Sequence, residues 1–554
     1  MPCSEWDGQD LVLEVIFDVL PGSPALSWLQ PGPGEPHRCF CITEAGPGWA
    51  RALLPCVDNP AELSSFTATF LVSRGLTVIM AAQLAKSDSS EELVDELVED
   101  RIFKFVSDQP SPTDALCFAI GELSSLSSPS LRLWGEPQQL EAAVKELDCA
   151  RTARSFEVLS SIFGPSWQAE HSASGALLQV LLVPPTCIHD GGRGHPGLLL
   201  IPPGALSGSM SYTISSWLVQ AWLGVSKSTS WRDRWLSCGL ELYVLHRFIQ
   251  EMDGASAASL QVSVRRKAFL RALSALPPES PVARLRCEGD QWQQRVGELK
   301  VLEENGFAMM LWLREQCGDS TAAFDSFLGT CAIPALRRKC LTSEEFRDLL
   351  LATFPRCPDF LLSDLQASCP FDMSEPWLPE LESCDERSVV DKVLKAWERI
   401  PPCEVVGGSQ AQVSNLIIRT AVLVKMKWNV HQILYFLDSL LETTGVYRES
   451  IIRMGDAYGF NLAKNDDVLA RWCQLLIQHN CQDHVAVIKS LLLRQGELKY
   501  VTATFRALVQ KGRSDVRWKF ISHELWELVQ PSLHPVVQAE AFRILDRGKC
   551  IGSF

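Results

Sequence analysis

Cysteine, histidine and carboxylate side chains have the most chemistry to offer in this sequence, and their spacing narrows what that chemistry could be. Cys39-x-Cys41 and Cys481-x-x-His484 each have the form of half a metal site. A closed structural zinc site takes four such ligands, and neither pair has a second half at a suitable spacing. Cys238 and Glu241 stand one helical turn apart, so the thiol could serve as a nucleophile beside a carboxylate. The plainer reading is a cysteine packed as a small hydrophobe. The glycine-rich stretch Gly191 to Gly197 looks like a phosphate loop, but it lacks the Gly-Lys-Ser/Thr ending and leads into the apolar run Leu198 to Ile201, a strand and not a helix. No Gly-x-Ser-x-Gly elbow stands with partners for a serine hydrolase. The basic runs Arg265-Arg266-Lys267 and Arg337-Arg338-Lys339 read as solvated helix faces or ends.

The elements that must position these residues change in kind along the chain. Up to residue 137 the pattern is that of a β domain. Leu11, Leu13, Val15 and Phe17 alternate as on a half-buried strand, and the segments from Phe66 and from Thr77 are rich in β-branched and aromatic residues. Residues 138–370 read as mixed α/β: a helix over Leu140 to Leu147, a buried strand over Leu177 to Val183, and a central buried helix over Tyr212 to Gly224, apolar nearly all round. Further helices are expected near Trp235 to Met252, Ala308 to Gln316 and Ser343 to Thr353. Residues 371–392, rich in Pro, Glu, Ser and Asp, read as a linker. From 393 to 554 the apolar spacing is helical, with short helices over Ile433 to Leu441, Glu449 to Tyr458, Val468 to His479 and His484 to Leu493. Short helices joined by short loops predict an α-superhelical, armadillo-like domain. The expected class is therefore multidomain α+β.

Composition sets the outer limits. A chain of 554 residues suggests three or four domains. Its net charge of -15 argues against nucleic acid, which needs a locally positive face. No apolar run approaches the roughly 18 residues of a membrane span, and Glu14 and Asp18 interrupt the first apolar stretch, so no secretory signal is read there. The expected location is cytoplasmic, with the 19 cysteines as reduced thiols.

Several fragments, in collinear order, resemble one family. Pro55-Cys-Val-Asp-Asn-Pro60 followed by Phe66-Thr-Ala-Thr is similar to the end of the β domain in zinc aminopeptidases of the aminopeptidase B and leukotriene hydrolase branch. Gly191-Gly-Arg-Gly-His-Pro196 falls where that family has its Gly-x-Met-Glu-Asn-Pro exopeptidase loop. Ala221-Trp-Leu-Gly224 and Trp231-Arg-Asp-Arg-Trp-Leu-Ser-Cys-Gly239 match the frame of its zinc helices, and Glu304-Asn-Gly-Phe-Ala308 matches its Glu-Lys-Gly-Phe-Ala segment. Trp472, Gly496, Lys499 and Phe505 sit in a similar C-terminal helical pattern. The resemblance runs from about residue 10 to the C-terminus. It implies a β domain shortened by about its first half, a thermolysin-like central domain and the helical domain.

The resemblance also says which positions ought to carry the chemistry. The family binds a catalytic zinc through a His-Glu-x-x-His helix and a distal Glu, leaving one position open for water. Those positions are Ser216, Trp217, Gln220 and Cys238 here, so all three ligands and the general base are replaced. Histidines His189, His195 and His246 lie off this helix, and Glu241, one turn past Cys238, is the nearest carboxylate. The exopeptidase Glu position is Gly194, and the transition-state Tyr position is Glu303, which would repel a developing oxyanion. A substrate-seating Gln aligns with Cys41, and the substrate-carboxylate Arg of the helical domain with Glu497, while Lys499 keeps its charge. The expectation is a pseudoenzyme: no zinc, no catalytic residues, Trp217 plugging the old cleft, and a peptide or protein partner with Lys499 as a candidate contact. Two alternatives remain open, a hydrolase with residual or unconventional activity and a product with little function.

Overall fold

The structure, a computed structural model, describes residues 12–20, 22–29, 39–43, 50–58, 62–85, 100–127, 131–146, 149–166, 177–184, 187, 193–195, 197–202, 210–224, 233–274, 285, 299–318, 320–338, 341–357, 385–399, 411–443 and 445–550. Its first unit is built from antiparallel strands. Strands β1 (Leu26–Leu29), β2 (Phe40–Thr43), β4 (Thr77–Met80) and β7 (Phe118–Gly121) form one sheet in the order β1-β2-β7-β4. A second sheet pairs the long strands β3 (Leu63–Ser73) and β6 (Asp100–Pro112), with β5 (Gln83–Leu84) beyond them. Alternation directs Phe66, Ala68, Phe70 and Val72 of β3 to one face, where the Phe70 ring meets Phe105 and Phe118 edge-on.

A five-stranded sheet begins the central unit. Its order is β11 (Arg193–His195), β12 (Leu198–Ile201), β10 (Leu178–Leu182), β9 (Leu131–Gly135) and β8 (Ser124–Ser127). The three inner strands are parallel and β8 and β11 are antiparallel edges. Inner strands covered on both faces read as continuous apolar runs. Leu178, Val180, Leu182, Leu199 and Ile201 pack toward helices, and Leu181, Val183, Leu198 and Leu200 pack toward Phe40, Ile42, Ile79 and Ala119 of the first sheet. Because β8 and β9 belong to this sheet, the expected boundary at residue 137 falls too late. Those strands look like more of the β domain in sequence, and only their pairing assigns them.

Helices cover the sheet and continue the unit: α1 (Pro137–Glu146), α2 (Cys149–Phe163), α3 (Met210–Leu223), α4 (Arg234–Asp253), α5 (Ala255–Ser274), α6 (Leu299–Gln316), α7 (Thr321–Phe327), α8 (Ile333–Arg338) and α9 (Ser343–Thr353). Helix α5 was not expected. It buries Ala257, Ala258 and Val262 in the central core and Leu260 and Val264 in the core of the last unit, so it shows no single apolar stripe. The last unit is helical throughout its described residues: α10 (Asp385–Glu398), α11 (Ala411–Val422), α12 (Val430–Glu442), α13 (Arg448–Tyr458), α14 (Asp466–Gln478), α15 (Val485–Arg494), α16 (Leu498–Gly512), α17 (Val516–Val529) and α18 (Pro535–Cys550). Alternate members α12, α14, α16 and α18 pack in series. Among the described residues no helix is long and apolar enough to cross a membrane.

Three further expectations need correction. Residues 12–20 form no strand; they pair with nothing described, and Ile16 is 94% exposed. The linker ends before residue 392, because α10 starts at Asp385 and buries Val390, Val393, Leu394 and Trp397. Acidic Asp385 and Glu386 suit the positive end of that helix, which is why its first turn resembles the polar stretch before it. The basic runs are not simply solvated faces. Arg265 is buried in a bidentate pair with Glu304, over the Phe307 ring, and Lys267 pairs with Glu442 of α12. Arg337 is buried too, and its partners belong to the site below.

Candidate functional site

Helix α3 carries the positions where the family resemblance expects metal ligands, and it is buried on two sides. Trp217, Leu218 and Ala221 join the apolar cluster on the five-stranded sheet, while Val219, Trp222 and Leu223 join the core of α2, α4 and α6. Gly224 ends the helix, with φ +82 in the left-handed region that favours glycine, its N–H donating to the Gln220 carbonyl. Arg337 closes the same end. Its guanidinium donates to the carbonyls of Trp222, Leu223 and Pro165 at 2.9, 3.1 and 2.7 Å and lies over the Trp222 ring. A cation is favoured at a helix C-terminus. This brace was legible only as a charge run, since nothing in the sequence says which carbonyls it meets.

Between the two apolar faces lies Gln220, directed at the edge strand β11 and at α4. Gly194 of β11 rests on the helix backbone: a Cβ there would stand 2.1 Å from the Trp217 carbonyl oxygen and 2.8 Å from the Ala221 nitrogen. Only glycine allows that approach. Gln220 uses both ends of its amide, accepting from the Gly194 N–H at 2.8 Å and donating to Glu241 Oε1 at 2.7 Å. The strand that would hold a peptide's amine, the helix that would hold zinc and the neighbouring helix α4 are thus tied by one side chain.

Helices α4 and α6 bring in the remaining positions. They cross at a glycine pair, where a Cβ on Gly239 would meet the Gly306 carbonyl oxygen at 2.4 Å and one on Gly306 the Trp235 carbonyl oxygen at 2.3 Å. That contact sets Cys238 beside Glu303. Burial pushes the Cys238 thiol up to about 12; Arg234, one turn earlier, pulls it back in part, and Glu303 and Glu241 push it further. The thiol therefore stays protonated, and the nucleophile reading of Cys238 loses its chemical basis. Arg234 was missed in sequence, although it stands inside the matched motif.

These residues do not fit a zinc ion. Zinc takes thiolate, neutral imidazole or carboxylate donors, whereas the helix offers a hydroxyl at Ser216 and an amide at Gln220, and that amide is spent on Gly194 and Glu241. Among the described residues, no group of three or more His, Cys, Asp or Glu is placed to hold a metal. Of the nearby histidines, His195 is buried on β11. His246 on α4 is kept neutral, pushed down to about 3 by burial and by Arg314, Arg265 and Arg247. His189 lies outside the described residues.

Trp217 is 5% exposed and sits among sheet and helix side chains, filling the space between those layers. Cys41 belongs elsewhere, on β2 between Trp28 and Ile120, with its thiol pushed up to about 12 by burial and by Cys187 and Cys39. Glu497 and Lys499 lie in the helical unit, at and just after the cap of α16. Lys499 Nζ stands 3.4 Å from both Asp467 Oδ1 and Glu497 Oε2. Burial pushes the Glu497 carboxyl up to about 7, against the pull of Lys499; burial also works against the Lys499 charge, but Asp467 and Glu497 outweigh it and raise Lys499 well above its ordinary value. Asp467 leads through Arg471 to Asp438 and Arg271, linking this cluster to α5.

With the geometry in place, known proteins can be compared. The family model for the leukotriene A4 hydrolase C-terminal domain matches residues 428–545. Human aminopeptidase B is 25% identical over 511 residues, covering 89% of this chain and 72% of the relative. Leukotriene A-4 hydrolase of Xenopus laevis is 22% identical over 549 residues, covering 97% and 84%. The structure of yeast LTA4 hydrolase in complex with bestatin superposes with a TM-score of 0.76 at 18% identity, covering 95% of this chain and 81% of that one. Taken together, the chain is similar over most of its length to aminopeptidase B and leukotriene A-4 hydrolase and shares the fold of yeast LTA4 hydrolase, and its helical unit matches the leukotriene A4 hydrolase C-terminal model.

Proposed function

We propose that this protein is a catalytically inactive member of the family, a regulatory or scaffolding pseudoenzyme that binds a peptide or protein partner and holds no zinc. The observation that carries the reading is the double engagement of Gln220, which ties Gly194 to Glu241 across the place where ligands and substrate would lie. Two further supports stand beside it. Gly194 has no side chain to hold an amine, and Glu303 presents negative charge where an oxyanion would need a donor. Retaining a packed frame while losing the chemistry leaves binding as the selected property. The helical unit offers the surface, with the Lys499 side chain 47% exposed as a candidate contact. A cytoplasmic setting, with thiols reduced, goes with this reading.

The test is turnover. Purified protein is assayed on aminoacyl naphthylamides with and without added zinc, beside aminopeptidase B at equal concentration. The proposal expects no hydrolysis above the blank in either condition. Turnover that a chelator removes and zinc restores would overturn it.

A further inference from the structure

Two unpaired features of the first unit fit each other. Residues 12–20 leave Val12, Leu13, Val15, Ile16, Phe17 and Leu20 between 49% and 94% exposed and pair with nothing described. Strand β3 runs for 11 residues with β6 on one side, and among the described residues no strand lies beyond it on the other. Such an edge presents unpaired N–H and C=O groups to a strand that arrives. Its two faces differ. Phe66, Ala68, Phe70 and Val72 face the core, while Leu71 and Ile102, partners in register, stand 66% and 45% exposed on the opposite face.

We propose that the protein forms a two-fold dimer by reciprocal strand addition, residues 12–20 of each copy lying antiparallel along β3 of a second copy. Alternation fixes the match. Leu13, Val15, Phe17 and Val19 share one face of the segment and are all apolar, while Glu14, Ile16 and Asp18 share the other. With Phe17 beside Phe70, antiparallel pairing sets Val15 beside Val72 and Ile16 beside Leu71. The apolar face of the segment then continues the core face of β3, and Ile16 covers the exposed pair of Leu71 and Ile102. Asp18 falls beside Thr69, in the row that carries Lys104. Parallel pairing from the same Phe17 would set Asp18 against Leu71, a charge on an apolar pair, so the antiparallel sense is the one that fits.

The area suffices for a stable pair. Covering one apolar side chain removes roughly 60–120 Å² from water, the area equivalent of its transfer free energy. The exposed apolar side chains of both segments, together with the two edges they cover, reach the roughly 1,200–2,000 Å² of a specific interface. Backbone hydrogen bonds to the edge give such an addition its affinity, and the alternate side chains give it register. Within one copy the segment and the edge stay apart, as the exposure of both shows. Reciprocal addition leaves neither open, so the assembly closes at two copies instead of growing. The inference does not depend on whether the cleft is catalytic.

The experiment measures the mass of the full-length protein in solution by sedimentation velocity over a dilution series. The expected result is a dimer that dissociates to monomer on dilution. Ile16→Asp and Leu71→Lys each change an exposed side chain, so both variants should fold with the wild-type circular dichroism spectrum. Each should raise the dimer dissociation constant by about tenfold or more, because it puts an unpaired charge into the covered row. Combined in one chain, the two substitutions set opposite charges side by side across the added strand, and the dimer should return. A monomer at every concentration would overturn the proposal, as would a dimer that either single variant leaves intact.

Discussion

Gly194 sets the tightest constraint on single residues, because any Cβ there would stand 2.1 Å from the Trp217 carbonyl oxygen. Gly194→Ala must push β11 off α3 and strain both Gln220 hydrogen bonds. The expected cost is about 1–3 kcal/mol, the range for overpacking, read as a lowered denaturant midpoint. An unchanged midpoint would mean the strand is not seated on the helix. Glu497 offers a second test through pH. Its carboxyl is raised from 4.5 to about 7, so the folded state binds the proton more tightly than the unfolded state. That contribution is complete below about pH 4.5 and is lost as pH rises through about 7. Between pH 5 and 8 the wild-type protein should therefore lose stability on the order of 1–3 kcal/mol, a slope that Glu497→Gln removes. Equal slopes in both proteins would refute the assignment to Glu497.

Elements show most clearly what a sequence displays and what it conceals. The burial of α3 follows from an apolar pattern on nearly every side, and α9, α12, α13, α14 and α15 follow from three-and-four spacing of their apolar residues. Matched motifs also named Gly194 and Gln220, which hydrogen-bond, and Cys238 and Glu303, which feel each other's field. What they could not supply was contact. Two cores share α5, so its apolar residues fall on no single face; Arg265 and Arg337 looked solvated because their partners, Glu304 and the Trp222 carbonyl, are 39 and 115 positions away. The alternating residues of the segment at 12–20 lacked a pairing partner, which alternation alone cannot reveal. Two predictions belong at this scale. Arg337→Met strips three buried carbonyls of a charged donor, with an expected loss on the order of 3 kcal/mol by chemical denaturation. Arg265→Met takes the bidentate guanidinium from buried Glu304 and should cost about 3–5 kcal/mol, while Arg265→Met with Glu304→Met should recover much of it. A double variant no better than the single would show that packing over Phe307, rather than the charge left behind, sets the cost.

At the scale of the whole molecule, the sheet, the central helices and the helical unit form a continuous frame in which α5 shares both helical cores and an ion-pair chain runs from Arg271 to Lys499. That frame superposes on yeast LTA4 hydrolase over 95% of this chain. At its centre lie an amide bridge from Gln220 to Gly194 and Glu241 and a close glycine contact on α3, and the proposed function rests on these. The central claim is thus about the metal, and it can be met before any partner is known. Purified protein, dialysed first against zinc and then exhaustively against buffer, is analysed for metal by mass spectrometry. The account predicts far less than one zinc per chain. About one zinc per chain, retained through dialysis, would contradict it.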